Sequence, residues 1–551
     1  MIKSFLKQKS KTVAFAAFLL AVSALISRLL GLFRDNLLAN LFTKSQTDIY
    51  FSAFRIPDLI YGILITGGIV AAFLPVFSSQ YEKDSQRAKQ LTNSVLTLFL
   101  ILLVLFCSVF AFFAPQLVNL IVPGFNSYQK ELTVDLTRIM FLSPVLLGLS
   151  AIFSGILQYF NLFLVYSLAP IFYNLGIIGG ILFLSPIFGL RGLAFGVILG
   201  AFLHLIVQVL ASFWCGFKPK FSFNFRRPGL KKIFKLMLPR TISSAAHHLN
   251  LIVITAIAST LTIGAIRVFN FANNLQGVAL GLVGIPFATA VFPALSRHFA
   301  ANKKKEYFKQ FSSTFSHILY LILPLSILTF LLRAQIVRII LGTSILNGGL
   351  FDWWDTRLTA ASLGIFSFSL FAASLVPFLA RAFFSLHNTK TPVKIALFSM
   401  ALNVVLSFYL VRVLASFSFF RNMLVSFLNL RGVENVSVLG LPLALSVSLV
   451  FQFLLLFLFL KKRIKEFNFG AILPSFSKIV VCSLLMGIFV YISIFSLSLF
   501  LKTNTAFGIF VQGAASALIG GAFYLLLTYF IGLSEPREIF FALKNQFKKA
   551  G

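Results

Sequence analysis

Long apolar runs alternate with short polar connectors from near the start of the chain to residue 533. Each run approaches or exceeds the roughly 20 residues an α-helix needs to cross a bilayer. They predict about fourteen spanning helices: Val13–Leu41, Ile49–Phe77, Leu91–Ala114, Leu132–Leu157, Phe163–Leu184, Leu193–Phe213, Ile233–Leu261, Phe269–Ala294, Phe311–Leu332, Leu358–Leu386, Pro392–Leu414, Val438–Leu460, Ile479–Leu499 and Phe507–Ile531. Pro57, Pro144, Pro170, Pro286, Pro377 and Pro442 fall inside these runs. Membrane helices tolerate proline where neighbours satisfy the freed carbonyls, so kinks are expected there. Beyond the last run, residues 534–551 read as an interfacial helix. Ser534 is its expected cap, and Ile539, Phe540, Leu543 and Phe547 form its apolar stripe.

The connectors set an orientation. Alternate ones are dense in cations, such as Lys83, Arg87 and Lys89, then Lys218 through Lys235, Arg297 through Lys309, and Lys461 through Lys465. The intervening ones carry singletons such as Lys44, Lys130, Arg191 and Lys502, apart from two longer loops with Arg338, Asp352, Asp355 and Arg357, then Arg421, Arg431 and Glu434. The positive-inside rule then puts both termini in the cytoplasm.

Composition agrees with a polytopic helical membrane protein. The 551 residues are 59% hydrophobic and 11% charged, with mean hydropathy +0.95. A soluble chain of this length has no way to hide so much apolar surface. The net charge of +33 sits in the connectors, where topology selects for it, so no nucleic-acid partner is expected. No N-terminal stretch reads as a cleaved signal peptide, because the first run is too long and carries Arg28. Cys107, Cys215 and Cys482 lie in apolar segments without metal or disulfide spacing. His247 and His248 are adjacent, about 100° apart on a helix, and cannot grip one metal from one face. With no phosphate-binding loop, nucleotide fingerprint or nucleophile elbow, neither a cofactor nor a metal is expected, and enzymatic function is disfavoured.

An internal repeat organises the runs. Ala72-Phe-Leu-Pro-Val-Phe-Ser78 follows the second run, and Ala290-Val-Phe-Pro-Ala-Leu-Ser296 follows the eighth. Gln158 and Asn161 followed by Asn174 match His387, Asn388 and Lys390 followed by Asn403. Gly192-Leu-Ala-Phe-Gly196 matches Gly440-Leu-Pro-Leu-Ala444. The order and spacing are preserved, so two parallel six-helix lobes are expected, 1–216 and 217–466, with 467–533 appended. Such a pair suits alternating access around a central cleft.

Charges inside the runs mark candidate chemistry. Arg28, Arg34 and Asp35 lie within the first run, where each costs about 2.5–3.5 kcal/mol to insert at mid-bilayer. Groups of this kind more often face a bundle interior or a water-filled cavity and handle a polar substrate there. Snorkelling or structural ion pairing is the alternative. Asp35 is two turns from Arg28 and either orients or neutralises it. Asp48 is a helix cap or a gating residue. Arg55 and Asp58, at i,i+3, either pair with each other or line a cavity.

These residues resemble a known family. Ser27-Arg28-Leu-Leu-Gly31-Leu-Phe-Arg34-Asp35, Thr47-Asp48, Pro57 and Ala72-Phe73-Leu-Pro75 are similar to the N-terminal signature of the MurJ/MviN lipid II flippases of the MOP exporter superfamily. The resemblance continues through Gly200-Ala-Phe-Leu-His204-Leu-Ile-Val-Gln208, Leu238-Pro239-Arg240 and the stretch Ala380-Arg381 to Pro392-Val-Lys394. It implies two six-helix lobes in a V and two extra helices making a groove for a polyprenyl tail. It also implies transfer of the undecaprenyl-diphosphate-linked peptidoglycan precursor, lipid II, from the inner to the outer leaflet of the bacterial cytoplasmic membrane. Membrane lipids and the cell-wall synthesis machinery are the further expected partners. Arg28 and Arg34 match its two first-helix arginines, and Arg55 a basic position.

The chain departs from the family pattern at Tyr61 and Thr66, where better-known members carry arginine and glutamate, and at Asn274, where they carry arginine. Arg267, seven residues before Asn274, either takes over that charge or marks the outer helix end. The family's sodium site retains only Asn403, Ser407 and Ser446 here. Rival readings are another exporter of the superfamily, such as an oligosaccharide-lipid flippase or multidrug exporter, and a membrane glycosyltransferase with Asp352 and Asp355 as its acidic candidates.

Overall fold

Proline positions decide where several helices stop. A proline at position i has no N–H for the carbonyl at i−4, and its ring crowds that carbonyl. In the computed structural model, which describes residues 13–344, 349–433, 435–464, 473–502 and 505–538, helices end at Ala53, Met140 and Leu282. Each of these lies four residues before Pro57, Pro144 or Pro286. Pro170 and Pro377, by contrast, sit inside unbroken helices, so the expected kinks form at only some of the positions named.

The chain divides into two compact units, 1–266 and 267–551. The first holds α1 Val13–Leu41, α2 Lys44–Ala53, α3 Arg55–Tyr61, a π-helical segment Gly62–Ile69, α4 Val70–Tyr81, α5 Ser85–Phe112, α6 Ala114–Ile121, α7 Ser127–Met140, α8 Leu142–Tyr159, α9 Phe163–Gly179, a second π-helical segment Gly180–Leu184, α10 Ser185–Phe188, α11 Leu190–Trp214 and α12 Pro228–Ser259. The expected second span is therefore not one rod but a segmented arm from α2 to α4. Its π-helical segment packs on α12. Because α12 packs within this unit, the compact body runs fifty residues beyond the repeat boundary expected at 216. Phe73, Phe77, Phe99, Phe153 and Ile233 are among the buried side chains of its core.

The helix that opens the second unit is α13 Ala265–Leu282. It is followed by α14 Gly284–Ala300, α15 Lys304–Leu331, α16 Arg333–Ile340, α17 Trp353–Ser385, α18 Lys390–Ser416, α19 Ser418–Phe427, α20 Gly440–Arg463, α21 Leu473–Phe500 and α22 Ala506–Phe530. Phe311, Phe315, Phe378 and Leu456 centre its main core. Tyr320, Met486 and Tyr524 fasten α21 and α22 onto α15, and the Tyr524 hydroxyl donates to the Tyr320 carbonyl at 2.9 Å.

Eleven helices or joined helix pairs among the described residues are long and apolar enough to cross a membrane. The remaining expected spans correspond to α1, the α2–α4 arm and α12, giving an all-helical polytopic membrane protein of roughly fourteen spans. On α5 the side chains of Val104, Leu105, Phe106, Val109 and Phe112 face outward. That much apolar exposure is stable only against lipid.

One backbone device recurs where the sequence repeat places equivalent turns. After α8 the chain closes with Asn161 at φ 57°, bonded Asn161 N–H to Gln158 O and Leu162 N–H to Leu157 O. After α17 it closes with His387 at φ 54°, bonded His387 N–H to Phe384 O and Asn388 N–H to Phe383 O. Both are left-handed helix closures that satisfy the terminal carbonyls. Thr66's side chain, Glu434, and the expected tail helix beyond residue 538 lie outside the described residues.

Candidate functional site

A polar stripe runs down one face of α1. Ser23, Ser27 and Arg34 fall on that face by helical spacing, and each meets α9. Ser23 Oγ donates to Ser167 Oγ at 2.9 Å. Asn174 Nδ2 donates to Ser27 O at 3.2 Å and to Ser27 Oγ at 3.1 Å. Its amide oxygen in turn accepts from Arg34 Nη1 at 3.4 Å. Asn174 is 8% exposed, so one buried amide both clamps α1 and aims its arginine. The approach of α9 and its π-helical continuation to α11 is equally tight. A Cβ on Gly180 would overlap the Gly196 backbone, so glycine there sets the interhelix distance.

Arg34 is paired yet not sealed. Nη2 and Nε reach Asp35 Oδ1 at 2.8 Å and 3.1 Å. The arginine side chain keeps 22% of its surface exposed while that of Asp35 keeps 5%. Tyr50 and Tyr173 lie within electrostatic reach of the same guanidinium. Arg28, six residues earlier and about 9 Å along the axis, is half-buried. Asp35 thus sits in contact with Arg34, its neighbour in the chain.

Arg55 belongs to the same unit. It is 7% exposed, and its Nε donates to Thr255 Oγ1 of α12 at 2.7 Å. Asp58 sits in the field of both Arg55 and Arg34. His247 and His248 of α12 are also within electrostatic reach of Arg55.

Asp48 does not cap its helix. Thr43 takes that position, with Gln46 closing a reciprocal capping box, which is the arrangement expected for Thr-x-x-Gln. Asp48 lies one turn inside α2, 3% exposed. Its Oδ2 accepts from Gly264 N–H at 2.6 Å, just before α13 begins, where helix N–H groups favour a carboxylate.

In the second unit, Arg267 is fully enclosed. Its Nη2 meets Asp355 Oδ2 at 2.5 Å, with side-chain exposures of 0% and 3%, and its guanidinium lies 5.2 Å from the Phe351 ring centre. Asp355 is not a loop residue as its sequence setting suggested. It occupies the first turn of α17, in a capping box with Asp352. Asn274 is half-buried on α13. Asn403 and Ser407 on α18 and Ser446 on α20 are all buried. Ser369 Oγ donates to Ser446 Oγ at 3.0 Å. These three sites offer amide and hydroxyl groups alone, and among the described residues no cluster of three His, Cys, Asp or Glu side chains is placed to hold a metal.

The second unit also carries an apolar cavity of about 550 Å³ between α15, α17 and α21, lined by residues including Ile327, Phe330, Phe368, Leu484 and Tyr491. Asn174 and Thr255 were not singled out as functional from sequence, where Asn174 stood only as an anchor of the repeat.

Lipid-facing apolar helices around clamped, partly open charges define a multi-pass membrane protein of the transporter class. Comparison narrows this further. A family model described as lipid II flippase MurJ matches residues 38–511, and the chain belongs to that family, whose members are transporters and not enzymes. It is 30% identical over 397 residues to the probable lipid II flippase MurJ of Buchnera aphidicola subsp. Acyrthosiphon pisum (strain APS), covering 71% of this chain and 77% of that protein. It is 29% identical over 459 residues to the lipid II flippase MurJ of Burkholderia cenocepacia, covering 81% and 83%. The fold matches a MurJ structure described as an inward closed conformation with TM-score 0.72, at 23% identity, over 93% of this chain and 98% of that one. An inward-facing multidrug transporter of the MATE family and MOP superfamily matches with TM-score 0.64 at 13% identity, over 80% and 95%.

Proposed function

We propose that this protein carries lipid II from the inner to the outer leaflet of a bacterial cytoplasmic membrane, by alternating access, with Arg34 and Arg28 receiving the diphosphate. The observation that carries the reading is the state of Arg34. Its position is set by Asp35 and Asn174, yet a fifth of its side chain is still open. A guanidinium held in place but not closed off is ready to exchange part of its pairing for a phosphate oxygen. Arg55 and Asp58 tune that field, and Asp48, on Gly264 N–H, is the gating candidate.

The cation-rich alternate connectors support cytoplasmic termini, and the apolar cavity of the second unit suits the polyprenyl tail, as the resemblance of residues 467–533 suggests. Docking to the cell-wall synthesis machinery follows from the same substrate. Between Asp135 and Asp352 the only acidic residue is Glu306, so a carboxylate relay for protons or sodium has little to work with. The membrane potential then drives an outward-moving anion by roughly 2.3 kcal/mol per charge per 100 mV. The test is reconstitution in liposomes with fluorescent lipid II. Wild type should translocate it, and Arg34→Ala and Arg28→Ala should lose more than tenfold of the rate while inserting normally. Full activity in both variants would overturn the assignment.

A further inference from the structure

A second cavity, of about 720 Å³, opens at the end of the second unit formed by α16 and the starts of α17 and α22. Unlike the apolar groove it is polar and cationic. Arg338 comes from α16, Arg357 from α17, Ser344 from the segment between them, and Ala506 from the first turn of α22. The Arg357 guanidinium is fixed from two sides. It lies 3.9 Å from the Trp353 ring centre and donates from Nη1 to the Arg431 carbonyl at 3.0 Å, which leaves most of its five donors for other acceptors. Asp352 also lines the cavity, but its Oδ1 is engaged by Asp355 N–H at 2.8 Å. Two arginines against one carboxylate leave the cavity lining net positive.

Its place in the unit gives it a second property. The apolar groove is lined up to Phe330 and Leu331, the last residues of α15. The cationic cavity begins at Ala334, three residues further along the same chain. An apolar cavity whose lining ends at Leu331 and a two-arginine cavity whose lining begins at Ala334 together have the outline of a lipid with a phosphate head. Trp353 and Trp354, exposed beside it, are of the residue type that anchors at the headgroup level. Bidentate donors from two guanidiniums match a diphosphate better than the single phosphate of a common phospholipid.

We infer that this cavity is an exit subsite, holding the diphosphate of a polyprenyl-linked lipid on the outer face after it has crossed. The inference rests on the orientation and substrate class proposed above. In the sequence of events it follows translocation and precedes lateral release into the outer leaflet.

The test is arginine footprinting of the wild-type protein in phosphatidylcholine nanodiscs, with phenylglyoxal as reagent and mass spectrometry as readout. Undecaprenyl diphosphate should slow modification of Arg338 and Arg357 by at least threefold. Phosphatidylglycerol at the same mole fraction, and inorganic pyrophosphate in solution, should slow it by less than 1.5-fold. Equal protection by phosphatidylglycerol would make this a general phospholipid contact and overturn the exit assignment. No protection by the polyprenyl diphosphate would overturn the site itself. Lipid II translocation by the same purified protein, reconstituted in sealed liposomes, is read in parallel. Translocation without footprint protection sinks the exit subsite alone, whereas protection without translocation sinks the transport reading and leaves a lipid site standing.

Discussion

Replacing Asp355 by asparagine removes the charge facing a guanidinium that has no exposed surface. Breaking a buried ion pair from one side typically costs about 3–5 kcal/mol, because the remaining charge is stranded in low dielectric. The Phe351 ring, 5.2 Å from the Arg267 guanidinium carbon, recovers at most about 1–2 kcal/mol of that. Asp355→Asn should therefore destabilise the protein by about 1–4 kcal/mol. Removing both charges together, Arg267→Met with Asp355→Leu, should cost far less, since the pair's attraction mostly offsets its own desolvation. What remains is the reciprocal cap bond from Asp352 N–H to Asp355 Oδ2, long at 3.4 Å and worth about 0.5–1 kcal/mol. The assay is denaturant unfolding in detergent micelles, followed by lipid II translocation at matched folded protein. The single variant should unfold at distinctly lower denaturant than the double, and the double should translocate within twofold of wild type. If the double variant folds but loses tenfold of its rate, Arg267 acts on substrate and the structural assignment is wrong.

Three other changes separate positioning from bulk stability. Asn174→Leu keeps the branched outline of the side chain but removes the acceptor of Arg34 Nη1 and the donor to Ser27; translocation, compared at matched folded protein, should fall about tenfold, and an unchanged rate would show that Arg34 needs no aiming. Thr255→Val deletes the acceptor of Arg55 Nε, a bond to a charged group worth about 1.5–3 kcal/mol, so unfolding in detergent should come at lower denaturant; a midpoint equal to wild type would contradict the contact. Gly180→Leu forces a side chain into the Gly196 backbone and should cost about 1–3 kcal/mol or more, read as loss of monodisperse protein on size-exclusion chromatography, while Gly521→Leu, where a Cβ meets nothing within 4 Å, should be neutral.

Features that act through the chain's own neighbours were legible in the sequence. Apolar run length set the spans, because a bilayer has one thickness and a helix one rise per residue. Proline identified candidate breaks, but which breaks open was not legible. Pro57, Pro144 and Pro286 each follow a helix end, whereas Pro170 and Pro377 do not. All five lack the same N–H, so local sequence has no means of separating them. The cap of α2 shows the opposite failure. Thr43-x-x-Gln46 is a complete local signal for the cap, and Asp48, a turn inside the helix, has no terminal N–H of that helix within reach.

The arginines show most clearly where such reasoning ends. Arg28, Arg34, Arg55 and Arg267 are alike in sequence: cations in or beside apolar runs, each expensive to bury. Their partners differ in ways that only the fold reveals. Arg34 meets a carboxylate one residue away and an amide 140 residues away, and stays partly open. Arg267 meets a carboxylate 88 residues away and is closed. This difference alters the charge arithmetic at Asn274. Arg267 was the one nearby cation able to replace the family arginine missing there, but Asp355 neutralises it within its own unit. The substitution at Asn274 therefore stands uncompensated by Arg267, and the charge proposed to receive the diphosphate before it crosses rests on the α1 arginines and Arg55. That makes the Arg34 variants a sharper test here than in a relative with a full arginine set, because fewer cations remain to cover the loss.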